Sequence, residues 1–414
     1  MHFERHRKKL ADITLILLGI GLFFQLSGFL FNNDDSRQAT QTHLLLFAPA
    51  LALFIKERFS LQTWQQPCSL IFLALTGWVL ARATLATDAD HSTLYWIKLC
   101  ILIILYIFAI AHLSHKNKIH TPLLAATILS AAFSWLTLYY QFAFLDKPLN
   151  YETVRYTGRL SELGWNGFAD FSHPIPAGLY YGFFSVILLS LLAERELNKL
   201  QLLLTLAGIT GLLLYTLLTF SRGAWFSTLA ASLTLLIISP KPRARILLLI
   251  GTLTLLCISA IFWQHIHNEW RLGTSQRGLI WLNWLQRLPE FWLFGNGAGT
   301  EIVYRYPWGD TVHHAHSLYL QLWYEYGIIG ITLFLAMLST LLHRAWTLRE
   351  LFEARIALAM LIFSIVAMIS DIHAVFHRPS VYWIILWLPV GLIIGLSPPT
   401  RPAQSNEPHR KNCT

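Results

Sequence analysis

Long apolar runs are the feature that most constrains how this chain of 414 residues can fold. Most approach the roughly 20 residues that an α-helix needs to cross the hydrocarbon core of a bilayer. Charged residues make up 13% of the chain and hydrophobic residues 55%, whereas soluble domains carry about 25% charged residues. The sequence therefore predicts an all-α integral membrane protein with about twelve transmembrane helices, of which the second is short for a span. The predicted spans are residues 10–31, 43–55, 68–86, 94–114, 121–145, 174–193, 201–220, 222–239, 246–264, 317–342, 356–371 and 380–396.

The Lys and Arg residues of the connections predict which side of the membrane each loop faces. Cytoplasmic loops carry an excess of Lys and Arg, and every second connection here is basic while most of the others are acidic. Both termini are therefore expected in the cytoplasm, and two large loops, 146–173 and 265–316, on the outer side. Residues 1–396 form the predicted transmembrane domain and residues 397–414 a disordered cytoplasmic tail.

The same charges bear on what the protein binds. The net charge of +9 is spread over short loops, which reflects membrane topology and does not predict a nucleic-acid partner. None of the four cysteines lies in a long outer loop, so no disulfide framework is predicted. Neither GxxxxGK[ST] nor a GxGxxG that follows a strand occurs, so no nucleotide site is predicted.

Two arginines, Arg222 and Arg277, mark the outer side as a place for chemistry. Arg222 lies at the outer end of a predicted span, where topology gives no reason for a cation, and Gly223 lets an anion approach the backbone. Arg277 begins a segment whose apolar residues recur at helical spacing from Ile280 to Leu288, which predicts an interfacial helix. Snorkelling to lipid headgroups and a solvated helix start are the structural alternatives. Together the two arginines favour a clamp for a diphosphate.

Histidines end the second large loop. His313, His314 and His316 directly precede a predicted span, and the near-neutral pKa of imidazole suits a general base that acts on a hydroxyl. Interfacial polar residues are the structural alternative. The spacing lacks an HExxH-type pattern, so no metal is expected. Glu325, further into the span, could orient a base or pair locally.

Other cations could extend the anion site. Arg155 and Arg159 lie in the first large loop, among glycines and aromatic residues that suit sugar binding but also an interfacial belt. Arg82 and Lys98 lie within predicted spans near their outer ends, and intramembrane cations are functional candidates by default. An outer site has no access to ATP, so the reaction must use a preactivated substrate, and a polyprenyl-diphosphate sugar is the membrane-confined donor that fits.

Four short motifs follow one another in the second half of the chain. They are Thr219-Phe220-Ser221-Arg222-Gly223-Ala224-Trp225, Gln276-Arg277-Gly278-Leu279-Ile280-Trp281, Leu293-Phe294-Gly295-Asn296-Gly297, and His314-Ala315-His316-Ser317-Leu318-Tyr319-Leu320 with Tyr326-Gly327. In this order they resemble the O-antigen ligase/polymerase superfamily of bacterial envelope proteins. The resemblance covers roughly residues 215–330, and the layout of twelve spans agrees with it along the chain. Ser317 stands where the family usually has Asn after the second histidine.

The resemblance implies a GT-C-like glycosyltransferase of the bacterial inner membrane that needs no cofactor, metal or ATP. A ligase of this family moves glycan from undecaprenyl diphosphate to a sugar hydroxyl of lipid A-core, with inversion, at the periplasmic face. By motif, Arg222 and Arg277 would hold the diphosphate, and His316, or His314 beside it, would activate the hydroxyl.

Three other functions remain open at this point. An O-antigen polymerase would use the same donor with a growing glycan as acceptor, although its two outer loops usually match, and here they differ. A protein O-glycosylating relative usually carries an extra exported domain. A lipid-linked-glycan flippase or transporter would place its charges at the bilayer midplane, often in internal repeats, and the cations here cluster towards one side.

Overall fold

The computed structural model describes residues 2–32, 34–56, 64–86, 91–273 and 276–397, and it is mostly helical over these ranges. One two-residue antiparallel hairpin, which pairs Tyr304 with Val312, interrupts the helices there. The elements are α1 (His2–Phe31), α2 (Asp35–Thr42), a π-helical turn (His43–Phe47), α3 (Ala48–Lys56), α4 (Pro67–Leu85), α5 (Thr93–His115), α6 (His120–Leu138) with a π-helical end (Tyr139–Phe144), α7 (Tyr151–Tyr156), α8 (Pro174–Glu194), α9 (Lys199–Leu218), α10 (Arg222–Ile238), α11 (Pro242–Ile261), α12 (Trp263–Arg271), α13 (Arg277–Phe291), β1 (Tyr304–Arg305), β2 (Thr311–Val312), α14 (Leu318–Thr347), α15 (Phe352–Ser370) and α16 (Val381–Gly395).

The helices confirm the predicted membrane architecture. In the described ranges, ten helical stretches are long and apolar enough to cross a membrane, and α10 and α16 are shorter apolar helices. These positions coincide with the predicted spans. The short second span is lengthened to Arg37–Lys56, because α2, the π-helical turn and α3 follow one another without a break. The protein is thus an all-α, multi-pass membrane protein. The tail beyond residue 397 lies outside the described residues.

The packing is tight at the centre and loose at one edge. Almost every side chain of α8 and α16 is buried, and α10 packs against both α8 and α15. In α11, by contrast, Ala244 is the one buried residue. The position of α12, which follows α11 directly, therefore depends on contacts of its own.

α14 is broken once within the membrane, at Gly327, whose φ of 67° and ψ of −170° leave the helical region. The glycine-rich segment 293–299 packs into the break, and the N–H of Asn296 donates to the carbonyl of Tyr324 at 2.8 Å. A Cβ at Gly327 would overlap the carbonyl of Leu293. Backbone groups freed inside a membrane need such partners, so this motif builds a helix joint.

Candidate functional site

Asp371 joins the two arginine-bearing segments predicted from sequence. Its carboxylate accepts a hydrogen bond from the Ser221 hydroxyl at 2.7 Å and pairs with the Arg277 guanidinium at 3.1 Å. The Asp371 side chain is 2% exposed, and a Cβ at Gly223 would overlap it. Gly223 therefore makes room for Asp371 within the protein. The site end of the bundle is defined here as the end where this contact lies, at the start of α10 and α13 and the end of α15.

Four helices begin at the site end, and each follows a residue with left-handed backbone. The residues are Ser172 before α8, Phe220 before α10, Gln276 before α13 and His316 before α14, with φ of 58°, 47°, 69° and 53°. Such conformations are costly for residues other than glycine and cluster at functional sites. They turn the chain sharply into helices whose N-termini carry positive partial charge. The backbone thus adds to the positive field of the arginines.

Arg159 belongs to the same cluster. Its Nε donates to the carbonyl of Thr219 at 2.7 Å and its Nη2 to that of Phe220 at 3.2 Å, which fixes the first large loop to the turn before Arg222. Burial, and next the charge of Arg155, lowers the pKa of Arg159 to about 10. The guanidinium stays charged at neutral pH, in surroundings that favour an added anion.

Glu269 of α12 holds the other side of the cluster. Its main-chain carbonyl accepts a hydrogen bond from Arg222 at 3.0 Å. Its carboxylate pairs with Arg155 and accepts a hydrogen bond from Tyr151 at 3.0 Å. α12 is thereby fastened to α7 and to the start of α10. Arg155, predicted as a further candidate, supports the site through this ion pair.

Three histidine rings pack against one another near Arg277. The rings of His314 and His316 lie 4.1 Å apart, and those of His314 and His373 lie 4.0 Å apart and nearly parallel. The backbone N–H of His316 donates to Nδ1 of His314 at 3.3 Å. His314 and His316 precede α14 instead of lying within it, so these two neighbours in sequence can face one another, and His373 reaches them from the segment after α15.

Burial keeps these imidazoles neutral. It lowers the pKa of His316 to about 3, with His314, Arg277 and His173 as further lowering neighbours. Burial and then Arg277 lower the pKa of His314 to about 4. His173, whose Nδ1 accepts the N–H of Ile175 at 3.2 Å at the start of α8, has its pKa lowered by burial and by Arg159. His316 is therefore a neutral proton acceptor that the charge of Arg277 influences.

The cluster carries an excess of two formal positive charges. Four arginines face two carboxylates, and a diphosphate diester carries two negative charges, so the arrangement suits such a ligand. The side chains counted are Arg155, Arg159, Arg222, Arg277, Glu269 and Asp371.

Two predicted cations have other surroundings. Arg82, in the last turn of α4, donates from Nη2 to the carbonyl of Gly295 at 3.0 Å, so it supports the glycine-rich segment at the break of α14. Lys98 is exposed on α5. Neither is connected to Asp371 by the contacts described, and their role in diphosphate binding stays a prediction.

His313 and Glu325 also pair locally. Nδ1 of His313 lies 2.6 Å from Glu301 on the exposed loop surface. Glu325 accepts the N–H of Gly299 at 3.0 Å and the amide of Gln321 at 2.8 Å. Of the two possibilities considered for Glu325, local pairing is the one observed.

α13 lies where an interfacial helix was predicted. Ile280, Trp284 and Phe291 are buried, and the rings of Trp284 and Phe291 pack near Trp323 and Tyr324 of α14. The apolar face thus packs largely on the protein and fixes Arg277 at the helix start.

Sequence reasoning missed Asp371, His373 and Glu269 as site residues. Asp371 lies in an outer connection, where an acidic residue agrees with the predicted topology. Asp371, His373 and Glu269 therefore gave no local signal of a site, because their importance comes from tertiary contacts.

Comparisons with known proteins agree with the motifs. Residues 207–335 match the family model described as O-antigen ligase, a range that includes Arg222, Arg277, His314 and His316. The chain is 24% identical over 384 residues to the O-antigen ligase of Pseudomonas aeruginosa, and the match covers 92% of this chain and 90% of that protein. The resemblance to the O-antigen ligase/polymerase superfamily is thus confirmed.

Proposed function

We propose that the protein is an O-antigen ligase of the bacterial inner membrane. It transfers a glycan from undecaprenyl diphosphate to a sugar hydroxyl of lipid A-core at the periplasmic face, and it uses neither nucleotide nor metal. The observation that carries the proposal is the cluster around Asp371: Asp371 pairs with Arg277, and burial, His314 and the charge of Arg277 lower the pKa of His316 and keep it neutral. A positive site next to a proton acceptor is what glycosyl transfer from a diphosphate requires.

The arginines bind the donor and stabilise its leaving group. As the bond between the anomeric carbon and the phosphate oxygen breaks, negative charge develops on the departing diphosphate. Arg277 is held by Asp371 and Arg159 by backbone carbonyls, so both are positioned before the reaction starts. Positive groups fixed in advance stabilise a transition state more than groups that must reorganise. The membrane-bound donor is already activated, so no other energy source is needed.

His316 takes the proton of the acceptor hydroxyl as its oxygen attacks the anomeric carbon from the opposite face, which inverts the configuration. A free-state pKa of about 3 makes His316 a weak base, but Arg277 is one of the charges that lower it. A bound diphosphate neutralises that charge, so its arrival raises the pKa of His316. The donor thereby prepares the base. His314, with one ring nitrogen engaged by the His316 N–H, is the alternative base or a partner that orients His316.

Purified protein, lipid A-core and glycan linked to undecaprenyl diphosphate, with no nucleotide or metal added, test this proposal. We expect transfer to lipid A-core, a loss of at least about 100-fold for His316→Ala, consistent with general-base catalysis, and a comparable loss for Arg277→Ala. His313→Ala is the matched control, since His313 lies on the exposed loop surface with Glu301, and it should retain most activity.

Each other outcome has a distinct meaning. Extension of the donor glycan without transfer to lipid A-core would identify a polymerase. Movement of intact donor across vesicles without transfer would identify a flippase. Transfer at the wild-type rate by His316→Ala would refute the assignment of the base, and inhibition by a chelator would refute metal independence.

A further inference from the structure

A short aromatic hairpin, residues 304–312, connects α13 to α14. The strands β1 and β2 form its base, and at its tip the N–H of Gly309 donates to the carbonyl of Tyr306 at 3.0 Å. Proline at the second position and glycine at the fourth are typical of the commonest β-turn, and Pro307 and Gly309 occupy these positions. The sequence thus favours the turn that presents Trp308.

Trp308 offers one open ring face at this tip. Its other face stacks on Tyr306, with ring centroids 4.5 Å apart and planes 11° apart. Tyr306 is 8% exposed, whereas Trp308 is 51% exposed. The indole N–H donates to the carboxylate of Asp310 at 3.0 Å. The ring is therefore supported from below and held at its edge, so it is positioned before any ligand arrives.

The base of the aromatic hairpin is anchored to the two helices that carry the site. Ile302, just before β1, is 1% exposed and packs in one cluster with Trp284 of α13 and Tyr324 of α14. The Tyr324 hydroxyl donates to the carbonyl of Glu301 at 3.2 Å. α13 begins at Arg277, and α14 begins shortly after the histidine segment. The hairpin therefore keeps a fixed position relative to both.

The aromatic hairpin also lies near the site. β2 ends two residues before His314, so the strand leads directly into the histidines. Burial, and next Tyr304, raises the pKa of Tyr306, whereas the charge of Arg277 lowers it. Arg277 thus acts on the ring beneath Trp308. The open indole face and the catalytic side chains belong to one region of the protein.

We propose that the open face of Trp308 binds a pyranose ring of the acceptor, lipid A-core. This assignment rests on the proposed function and names a residue that selects the acceptor. The C–H bonds on one face of a pyranose carry partial positive charge and pack on the negative face of an aromatic ring. Arg305, Asp310 and Thr311 are exposed on the same hairpin and offer hydrogen-bond partners to the sugar hydroxyls.

The place of the aromatic hairpin favours the acceptor over the glycan of the donor. Its second strand leads into the histidines, which take the proton of the acceptor hydroxyl, whereas the diphosphate of the donor lies among the arginines. In an inverting transfer the attacking hydroxyl and the departing diphosphate lie on opposite faces of the anomeric carbon. A surface continuous with the base therefore meets the acceptor sugar.

Steady-state transfer by the full-length protein tests the assignment, with lipid A-core and donor varied separately. We expect Trp308→Ala to raise the KM for lipid A-core about tenfold and to leave the KM for the donor unchanged. Trp308→Phe keeps an aromatic ring, so it should restore most of the affinity for the acceptor. Trp346→Ala is the matched control, because Trp346 is 50% exposed near the opposite end of α14.

Saturation-transfer NMR without donor gives a measurement that does not depend on turnover. The probes are free core oligosaccharide, cleaved from lipid A, and free O-antigen glycan, each added to the protein in nanodiscs. We expect saturation to reach the C–H protons of the core sugar in wild type, Trp308→Phe and Trp346→Ala, and to be lost in Trp308→Ala. The signal of the O-antigen glycan should be the same in all four proteins.

The proposal is overturned if Trp308→Ala leaves the KM for lipid A-core unchanged, or if the substitution affects the donor or the O-antigen glycan instead. It is also overturned if brominated lipid quenches the fluorescence that Trp308→Phe removes, since the tip would then be a membrane anchor. Loss of the core signal in Trp308→Ala, together with no glycan transfer by wild type, would contradict the proposed function and leave the sugar site intact.

Discussion

Replacement of Asp371 by Asn tests whether a buried carboxylate positions the leaving-group arginine. Asn preserves the shape of the side chain and an acceptor for Ser221, but it removes the negative charge opposite Arg277. Hydrogen bonds to charged groups contribute about 1.5–3 kcal/mol. If Arg277 loses that much of its stabilisation of the transition state, kcat falls roughly 10- to 150-fold, since about 1.4 kcal/mol corresponds to a factor of ten.

A matched control lies on α13, the helix that begins at Arg277. Arg287 and Glu290 of α13 form a pair with the same N–O separation as Arg277 and Asp371, 3.1 Å. The Glu290 side chain is 56% exposed, against 2% for Asp371. An exposed pair contributes about 0–1 kcal/mol, so Glu290→Gln should change kcat by less than about fivefold.

The assay is steady-state transfer to lipid A-core, with kcat and donor KM determined separately and size-exclusion profiles compared. Because Asp371 compensates part of the positive charge, its neutralisation should not weaken donor binding. A loss of kcat without a rise in KM therefore identifies a positioning residue. Equal effects of Asp371→Asn and Glu290→Gln, or a loss confined to KM, would refute the reasoning.

Three other outcomes follow from the structure. Activity is lost as pH falls through the pKa of the base, and the donor raises the pKa of His316 from its free-state value of about 3. The acid limb of the kcat profile should therefore lie at higher pH than the acid limb of the kcat/KM profile. Coincident limbs in pH–rate profiles would contradict donor activation of the base. Gly327→Ala should destabilise the protein by about 1–3 kcal/mol or more, which a lower thermal midpoint would show. Gly77→Ala is the control and should leave the midpoint unchanged, because Gly77 has open space around it. Equal midpoints for the two variants would refute the role of Gly327 in the helix joint. Glu269→Ala removes the ion pair with Arg155, so hydrogen exchange of the α12 amides should become at least about tenfold faster, while exchange of the α5 amides stays the same. Unchanged exchange in α12 would show that Arg155 does not fasten this helix.

Membrane architecture could be predicted because its signal is local. A span needs about 20 apolar residues wherever it lies in the chain, so the helices follow from hydropathy alone. Arg222 and Arg277 were also predictable, since each stands at a helix start where a cation has no role in topology. The order of the motifs then supplied the resemblance to the O-antigen ligase/polymerase superfamily, which the comparisons confirm. The sequence thus predicted the individual side chains and the helix on which each of them lies.

The geometry of the site could not be predicted because it depends on pairing across the chain. Ser221 and Asp371 are 150 positions apart, and no local pattern in either segment refers to the other. The left-handed backbone at Phe220 and His316 is equally hidden, since few residues other than glycine adopt it and no local pattern singles out these two. Hydrogen bonds maintain these conformations: Arg159 binds the carbonyl of Phe220, and the His314 ring accepts the N–H of His316. The residues that sequence overlooked thus maintain the geometry in which the predicted residues act, and for that reason substitution of Asp371 is more informative than a further substitution among the arginines.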